Sequence, residues 1–262
     1  MSAYGKIKVR GFVLTGFPFG ESHKIYNFLS IEHGIIKIVA HGARKVGGKF
    51  GSSLELFNEL ELVITGNKST DLYNISEVTL ILSSHNIRQK LYTLNWFYYL
   101  SEFVSSWVST HSISANLYNY LRNIIFLIGE HSDIALICIR SFQLKLLFEL
   151  GFTTDIKHCA LCTSELSNDI YLTKRHGLFI CNKCKSHNDI SLSNSTLSEI
   201  RSLLNLSFDD FILDTNDINI YNVSISNETI LILSNIFSII NYTVLDKKLK
   251  TDSLFYGGDI KI

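Results

Sequence analysis

Four cysteines in two matched pairs, Cys159-Ala-Leu-Cys162 and Cys181-Asn-Lys-Cys184, constrain the folding of this chain more than any other feature. Residues 163–180 separate the pairs, a spacer of 18, which fits the two-knuckle spacing of a zinc site. Each pair turns two thiolates toward a common centre, and two pairs complete a tetrahedral shell of sulfur. A closed shell leaves no position for a metal-bound water, so the ion is expected to be structural and not hydrolytic. Cys159, Cys162, Cys181 and Cys184 are thus the expected ligands of one Zn2+ per chain, and iron suits the same tetrahedron. Two disulfides would need an oxidising compartment, and Met1-Ser2-Ala3-Tyr4-Gly5-Lys6 lacks the apolar run of a secretory signal. A redox pair would need a thioredoxin-like βαβ setting, which the surrounding pattern does not supply. His158, His176 and His187 flank the knuckles and read as solvated imidazoles. Cys138, inside the apolar run Ile134 to Ile139, reads as a small core residue.

Charge is unevenly distributed although the formal net charge is zero. Residues 1–50 carry eight Lys/Arg against two Asp/Glu, and residues 188–262 carry five against ten. The N-terminal part is therefore basic and the C-terminal part acidic. An apolar fraction of 46% is enough for a real core. Thr229 to Leu245 is free of charge for 17 residues, just short of a membrane span. Ser234, Asn235, Ser238 and Asn241 recur there at helical spacing, so an amphipathic core helix with one wet face is expected, and no membrane association. Reduced thiols holding metal point to a soluble, cytoplasmic protein.

The first eighty residues have the period of strands. Lys6, Lys8 and Arg10 alternate with Ile7, Val9 and Gly11, which puts three cations on one face. A turn is expected at Gly16-Phe17-Pro18-Phe19-Gly20, then strands at about His23 to Ile31 and Ile35 to Ala40 joined through Glu32-His33-Gly34. In the fourth strand Leu54, Leu56, Leu60, Leu62 and Ile64 line one face while Glu55, Glu59 and Glu61 line the other; a fifth runs from about Thr70 to Leu80. This string fits a small OB-type barrel, and an SH3-like barrel would give a similar one. Helical spacing follows over Ile87 to Val108, Ala115 to Gly129 and Ser132 to Leu150, with Gly151 placed as a C-cap. After the knuckles come a helix at about Ser195 to Leu204, a β-like stretch at Asp217 to Ser224 and the last helix to about Leu245. The knuckle spacer is expected to carry a hairpin around Tyr171 and Phe179. The fold class is α+β: an N-terminal OB-like β-barrel (1–82), then an α-helical bundle (83–157 and 188–262) carrying an inserted four-cysteine zinc module (158–187).

His41-Gly-Ala-Arg44-Lys45-Val-Gly47-Gly48-Lys49-Phe50-Gly51 looks like a phosphate loop but fails the test, because Gly48 and not lysine follows Gly47, and Phe50 and not Ser or Thr follows Lys49. What remains is a loop of mobile cations beside a basic barrel face. Lys6, Lys8, Arg10, Arg44, Lys45 and Lys49 are the candidate phosphate contacts, with Tyr26, Phe50 or Phe57 as a stacking surface for unpaired bases. No catalytic motif is present: there is no H-E-x-x-H, G-x-S-x-G or Rossmann glycine string. The adjacent Asp209 and Asp210 read as a solvated turn.

The order of parts, together with the run from Arg140 through Leu146-Leu147 and Leu150-Gly151-Phe152 into the first knuckle, resembles the RecO family of bacterial DNA repair proteins. His41-Gly42-Ala43-Arg44-Lys45 resembles that family's basic loop after the third strand. Lys248-Leu249-Lys250-Thr251-Asp252-Ser253 resembles its C-terminal Leu-Lys-Ser ending. Thr154 stands where the family often has proline, Thr163 where glycine commonly follows the first knuckle, and His176-Gly177 where a double glycine is usual. The resemblance implies a non-enzymatic recombination mediator, nucleoid-associated and without a small-molecule substrate. Such a protein binds single- and double-stranded DNA and anneals complementary strands. With RecR it helps load the RecA recombinase onto DNA coated with single-strand binding protein. Arg140, on an apolar helix, is the candidate contact for the acidic tail of single-strand binding protein. A zinc-ribbon transcription or translation factor would share the four-cysteine unit, and a thiol redox enzyme would need an accessible thiolate of low pKa.

Overall fold

The computed structural model describes residues 5–45, 47, 48, 50–67, 72–108, 113–152, 156–166, 169–207, 223–246 and 248–252. Thr154, Asp209, Asp210, Ser253 and most of the β-like stretch expected at Asp217 to Ser224 lie outside them. The chain divides into two compact units, residues 1–132 and 133–262.

The first unit is a closed five-stranded barrel with two helices. Strands β1 (Ile7–Phe19), β2 (His23–Ser30), β3 (Gly34–Ala40), β4 (Glu59–Asn67) and β5 (Leu72–Leu82) close in the order β1-β2-β3-β5-β4. All neighbours are antiparallel except β3 and β5. Closure with one parallel pair is the OB arrangement and leaves no free sheet edge. Val9, Val13, Phe28, Ile38, Leu60, Leu62 and Ile64 fill the interior, as period-two alternation requires.

Two expectations for the barrel are corrected. Gly16 is not a turn residue: β1 runs on to Phe19 and turns at Gly20. A Cβ at Gly16 would lie 2.6 Å from the Tyr26 ring, so glycine serves here to let two strands approach. The register slip between Val13 and Thr15 bends β1, so that one long strand pairs with β4 over its first half and with β2 over its second. The other correction concerns Leu54, which belongs to a 3-10 turn at Gly51–Leu54 before β4 begins at Glu59. The β2–β3 hairpin forms as expected, with Gly34 at φ +65° closing it opposite Ser30.

Helices α1 (Leu91–Trp107) and α2 (Ala115–Glu130) cover part of the outer barrel wall. Phe12 stacks on Tyr118 at 4.9 Å, Phe57 meets Phe97 edge-on at 5.1 Å, and the Ser101 hydroxyl donates to the Leu14 carbonyl at 2.5 Å. Under this cover Glu59 is fully buried. It lies on the strand face opposite the leucines, as expected. Arg10 and Arg122 donate to its two oxygens at 2.8 and 2.9 Å, and Tyr118 adds a third bond at 3.1 Å.

The second unit holds α3 (Ala135–Glu149), the cysteine module, α4 (Asn194–Asn205) and α5 (Asn227–Leu245). Ser193 and Ser226 cap α4 and α5 by accepting from the N–H groups of Thr196 and Thr229, both at 3.2 Å. Glu199 of α4 ties down the start of α5 by accepting from the Ser226 N–H and hydroxyl at 2.8 and 2.9 Å. Burial alone would raise the Glu199 pKa, but these bonds with that of Thr229 hold it below the ordinary value. Cys138 is buried in α3, as expected, and burial pushes its thiol pKa up.

The wet face assigned to α5 is corrected. Ser234, Ser238 and Asn241 are buried, while Leu231, Tyr242 and Val244 are exposed. Ser234 meets a guanidinium from α3 there: Arg140 Nη2 donates to Ser234 Oγ at 3.1 Å. Helix α5 is long and apolar enough to cross a membrane by length and composition. Its polar side nevertheless packs on α3, as a core helix does.

Candidate metal centre and nucleic-acid interface

The cysteine module is built on a three-stranded sheet in the order β7-β6-β8, with β6 at Ile170–Leu172, β7 at Phe179–Cys181 and β8 at Ile190–Ser191. The hairpin expected around Tyr171 and Phe179 is β6–β7, and its register places Cys181 opposite Ile170. The first knuckle is locked to this sheet by the Ala160 N–H, which donates to the Phe179 carbonyl at 3.0 Å. Its own turn closes through Thr163 N–H to the Cys159 carbonyl at 2.9 Å and Cys159 N–H to the Ser164 carbonyl at 2.8 Å. The second knuckle closes through Cys184 N–H to the Cys181 carbonyl at 3.0 Å.

All four Sγ atoms lie within 4.8 Å of one another, and those of Cys162 and Cys181 are 3.7 Å apart. A Zn–S bond of about 2.3 Å spaces tetrahedral sulfurs by about 3.8 Å, so the donors fit a four-coordinate ion. The separation is too long for a disulfide, and all five cysteines are free. The surroundings favour thiolates unequally. Burial opposes ionisation of Cys159, but the N–H groups of Cys181, Cys162 and Leu161 outweigh it and bring the thiol down to about 6. Cys184, hydrogen-bonded first to Cys162 and then crowded by the other thiols, is pushed up to about 12. Four neighbouring thiolates repel one another until a cation joins them. The flanking His158, His176 and His187 are exposed, as expected.

The candidate phosphate contacts fall into two classes. Lys6, Lys8 and Arg10 each meet a carboxylate: Glu77 at 3.3 Å, Glu61 at 2.7 Å and Glu59 at 2.8 Å. Arg44 and Lys45 are exposed on the loop after β3, and Lys49 lies outside the described residues. The loop is fastened to the β1–β2 turn. The Arg44 N–H donates to the Ser22 carbonyl at 3.1 Å, Arg44 Nη1 to the Gly20 carbonyl at 3.1 Å, and the Gly42 N–H to His23 Nδ1 at 3.1 Å. Tyr26, Phe50 and Phe57 are all buried, at 6% exposure or less. The stacking surface expected of them is corrected: they fill the barrel or its helical cover. Phe17 and Phe19, exposed at 53% and 46%, lead into the β1–β2 turn to which the loop is fastened. Two residues apart on β1, they stand on one face. The run Phe17-Pro18-Phe19 signalled them, once it is placed on a strand.

Arg140 is also corrected. It is fully buried, donates to Gln143 Oε1 at 2.7 Å and to Ser234, and lies 5.2 Å from the centre of the Phe237 ring. An enclosed guanidinium offers a partner's acidic tail no direct contact.

The family profile described as "Recombination protein O N terminal" matches residues 1–84, which contain the barrel, and the one described as "Recombination protein O C terminal" matches residues 88–251. The DNA repair protein RecO of Clostridium kluyveri is 28% identical over 222 residues, covering 84% of this chain and 82% of that protein. The DNA repair protein RecO of Clostridium perfringens is 24% identical over 249 residues, 94% and 95% of the two chains. That of Caldicellulosiruptor saccharolyticus is 26% identical over 194 residues, 74% of this chain and 78% of the relative. With a barrel under the first profile, a four-cysteine cluster under the second and relatives matched over most of their length, the chain belongs to the recombination protein O family of DNA repair proteins.

Proposed function

We propose that the chain is a non-enzymatic recombination mediator that binds single- and double-stranded DNA and anneals complementary strands. With RecR it would assist loading of the RecA recombinase onto DNA coated with single-strand binding protein. The observation that carries this reading is the basic loop of Arg44 and Lys45, exposed and fastened to the β1–β2 turn that the exposed pair Phe17 and Phe19 leads into. Annealing requires that phosphate repulsion be screened while bases stay free to pair. Cations on a loop supply the screening, and an aromatic pair holds unstacked bases without reading their sequence. No proton transfer or nucleophile enters the process.

Lys49 belongs to the same loop and the same proposal. The ion pairs of Lys6 and Lys8 are solvent-exposed on the lysine side and such pairs are worth about 0–1 kcal/mol, so a phosphate can take the place of Glu77 or Glu61. Arg10 is different, because releasing it would strip a charge from the buried Glu59; its role is to hold the barrel. The cysteine cluster holds Zn2+, which fixes two knuckles that have little core of their own. The acidic tail of single-strand binding protein remains a proposed partner, with no residue assigned.

The test is annealing of complementary labelled oligonucleotides, bare and coated with single-strand binding protein. Arg44→Ala with Lys45→Ala should slow annealing and flatten the salt dependence of binding by about 1.4–1.8 units, at about 0.7–0.9 per phosphate. Phe17→Ala with Phe19→Ala should weaken single-strand binding by about 1–3 kcal/mol per base lost and leave that slope unchanged. A wild-type protein that binds one defined duplex sequence and anneals nothing would instead favour a zinc-ribbon factor.

A further inference from the structure

The cations of the cysteine module differ from Lys6, Lys8 and Arg10 of the barrel, which each meet a carboxylate. Lys174, Arg175, Lys183 and Lys185 are exposed, and among the described residues no Asp or Glu forms an ion pair with any of them. The module does contain a carboxylate placed to neutralise them, Asp189, but it is used for another purpose. Its Oδ1 accepts from the Lys174 backbone N–H at 3.2 Å, and its Oδ2 accepts from the Ser186 N–H and hydroxyl at 2.7 and 2.9 Å. These bonds hold the Asp189 pKa below the usual carboxylate value, the Ser186 N–H first among them. A carboxylate held by two backbone N–H groups and a hydroxyl acts as a staple. It joins the turn after β6, carrying Lys174 and Arg175, to the loop after the second knuckle, carrying Lys185. The Lys185 ammonium is positioned in turn: it lies 4.3 Å over the Tyr171 ring and donates to the Tyr171 hydroxyl at 2.9 Å. Lys183 is exposed in the second knuckle, between Cys181 and Cys184.

We infer that the cysteine module carries a second phosphate-binding surface, formed by Lys174, Arg175, Lys183 and Lys185, that takes the backbone of a nucleic acid. This rests on the annealing reading above and deepens it. Bringing two strands together needs two places to hold them, and a chain with one phosphate surface in each compact unit provides both. Nucleic acid is the occupant the chemistry favours, because four exposed cations that pair with no described Asp or Glu, three of them carried on segments joined by one staple, suit repeating phosphates. The competing explanation is internal: four thiolates with a divalent ion carry a net charge of −2, and nearby cations offset it.

The experiment measures fluorescence anisotropy of a labelled single-stranded oligonucleotide bound by the full metal-loaded chain over a salt series, with metal content determined for every variant. Lys174→Gln with Arg175→Gln and Lys185→Gln should keep the metal, weaken binding roughly fivefold or more, and flatten the salt slope by about 2 units, three contacts at about 0.7 each. Should Lys185→Gln disturb the fold through Tyr171, Arg175→Gln with Lys183→Gln leaves that contact alone and should flatten the slope by about 1.4 units. Unchanged affinity and slope in that double variant overturns the inference. So does loss of metal with unchanged DNA affinity, which would assign the cations to the cluster, and so does loss of binding to an acidic peptide with the oligonucleotide unaffected. Arg44→Ala with Lys45→Ala, measured in parallel, separates the two surfaces. If it alone weakens binding, the second surface falls and the annealing reading stands; if only the module variants weaken it, the reverse holds.

Discussion

Glu59 shows how much one residue decides in this fold. A glutamate alternating with leucines reads as solvent-facing, and Glu61 two positions on is partly exposed as that pattern requires. Glu59 is enclosed because α2 places Tyr118 and Arg122 one turn apart on the face that covers it, while β1 supplies Arg10. Burial first, then the charge of Glu59, raises the Tyr118 pKa, so the phenol stays a donor. Glu59→Gln should therefore remove the counter-charge of two arginines and destabilise the first unit by about 3 kcal/mol, the low end for breaking a buried pair because both arginines reach solvent. Urea unfolding followed by the fluorescence of Trp96 and Trp107 would measure it, and an unchanged midpoint would remove the network from the stability of the barrel. Thr163 raises the opposite case, since it sits at φ +59°, a backbone region that favours glycine. A left-handed backbone costs a non-glycine residue about 1–2 kcal/mol, and added freedom of the unfolded chain returns about 0.4–1 kcal/mol of that. Thr163→Gly should stabilise the knuckle by about 0.5 kcal/mol net, read as a higher denaturant midpoint for metal release; a lower midpoint would show that the Thr163 hydroxyl, bonded to the Cys162 carbonyl at 2.7 Å, matters more than the strain.

At the level of elements, what could be read in the sequence was local and what could not was tertiary. The knuckles were legible because ligand spacing fixes their geometry within a few residues, and the strands because period two survives wherever one face meets a core. The turn assigned to Gly16 was misread because Gly-Phe-Pro-Phe-Gly has turn composition, while the need for glycine came from the Tyr26 ring on the neighbouring strand. The wet face given to α5 failed for the same reason. Ser234, Ser238 and Asn241 are polar at helical spacing yet buried, and the approach of Arg140 from α3, which gives Ser234 a partner, is a tertiary event that no local pattern shows. The stacking aromatics followed suit, since Phe50 and Phe57 are core-filling residues that nothing in their local pattern separates from exposed ones.

For the whole molecule, the charge asymmetry visible in the sequence separates the ends of the chain, the basic end in the first compact unit and the acidic end in the second, and the units divide between residues 132 and 133. The two units hold together by different means. The barrel has a continuous apolar interior and closed hydrogen bonding, whereas the sheet of the cysteine module has strands of only two and three residues, too short to be stable unaided. The four-cysteine cluster is placed to supply the difference when it holds a metal ion, as in small modules whose unfolded chain has no preformed site. Elemental analysis of protein purified under reducing conditions should find one metal ion per chain. Removing it with a strong chelator, or by Cys162→Ser, should then expose the backbone amides of β6 and β7 to rapid hydrogen exchange while those of β1 to β5 stay protected. Simultaneous loss of protection in all seven strands would mean that the barrel depends on the metal. Retained protection in β6 and β7 without metal would mean that the cysteines are not what holds the module.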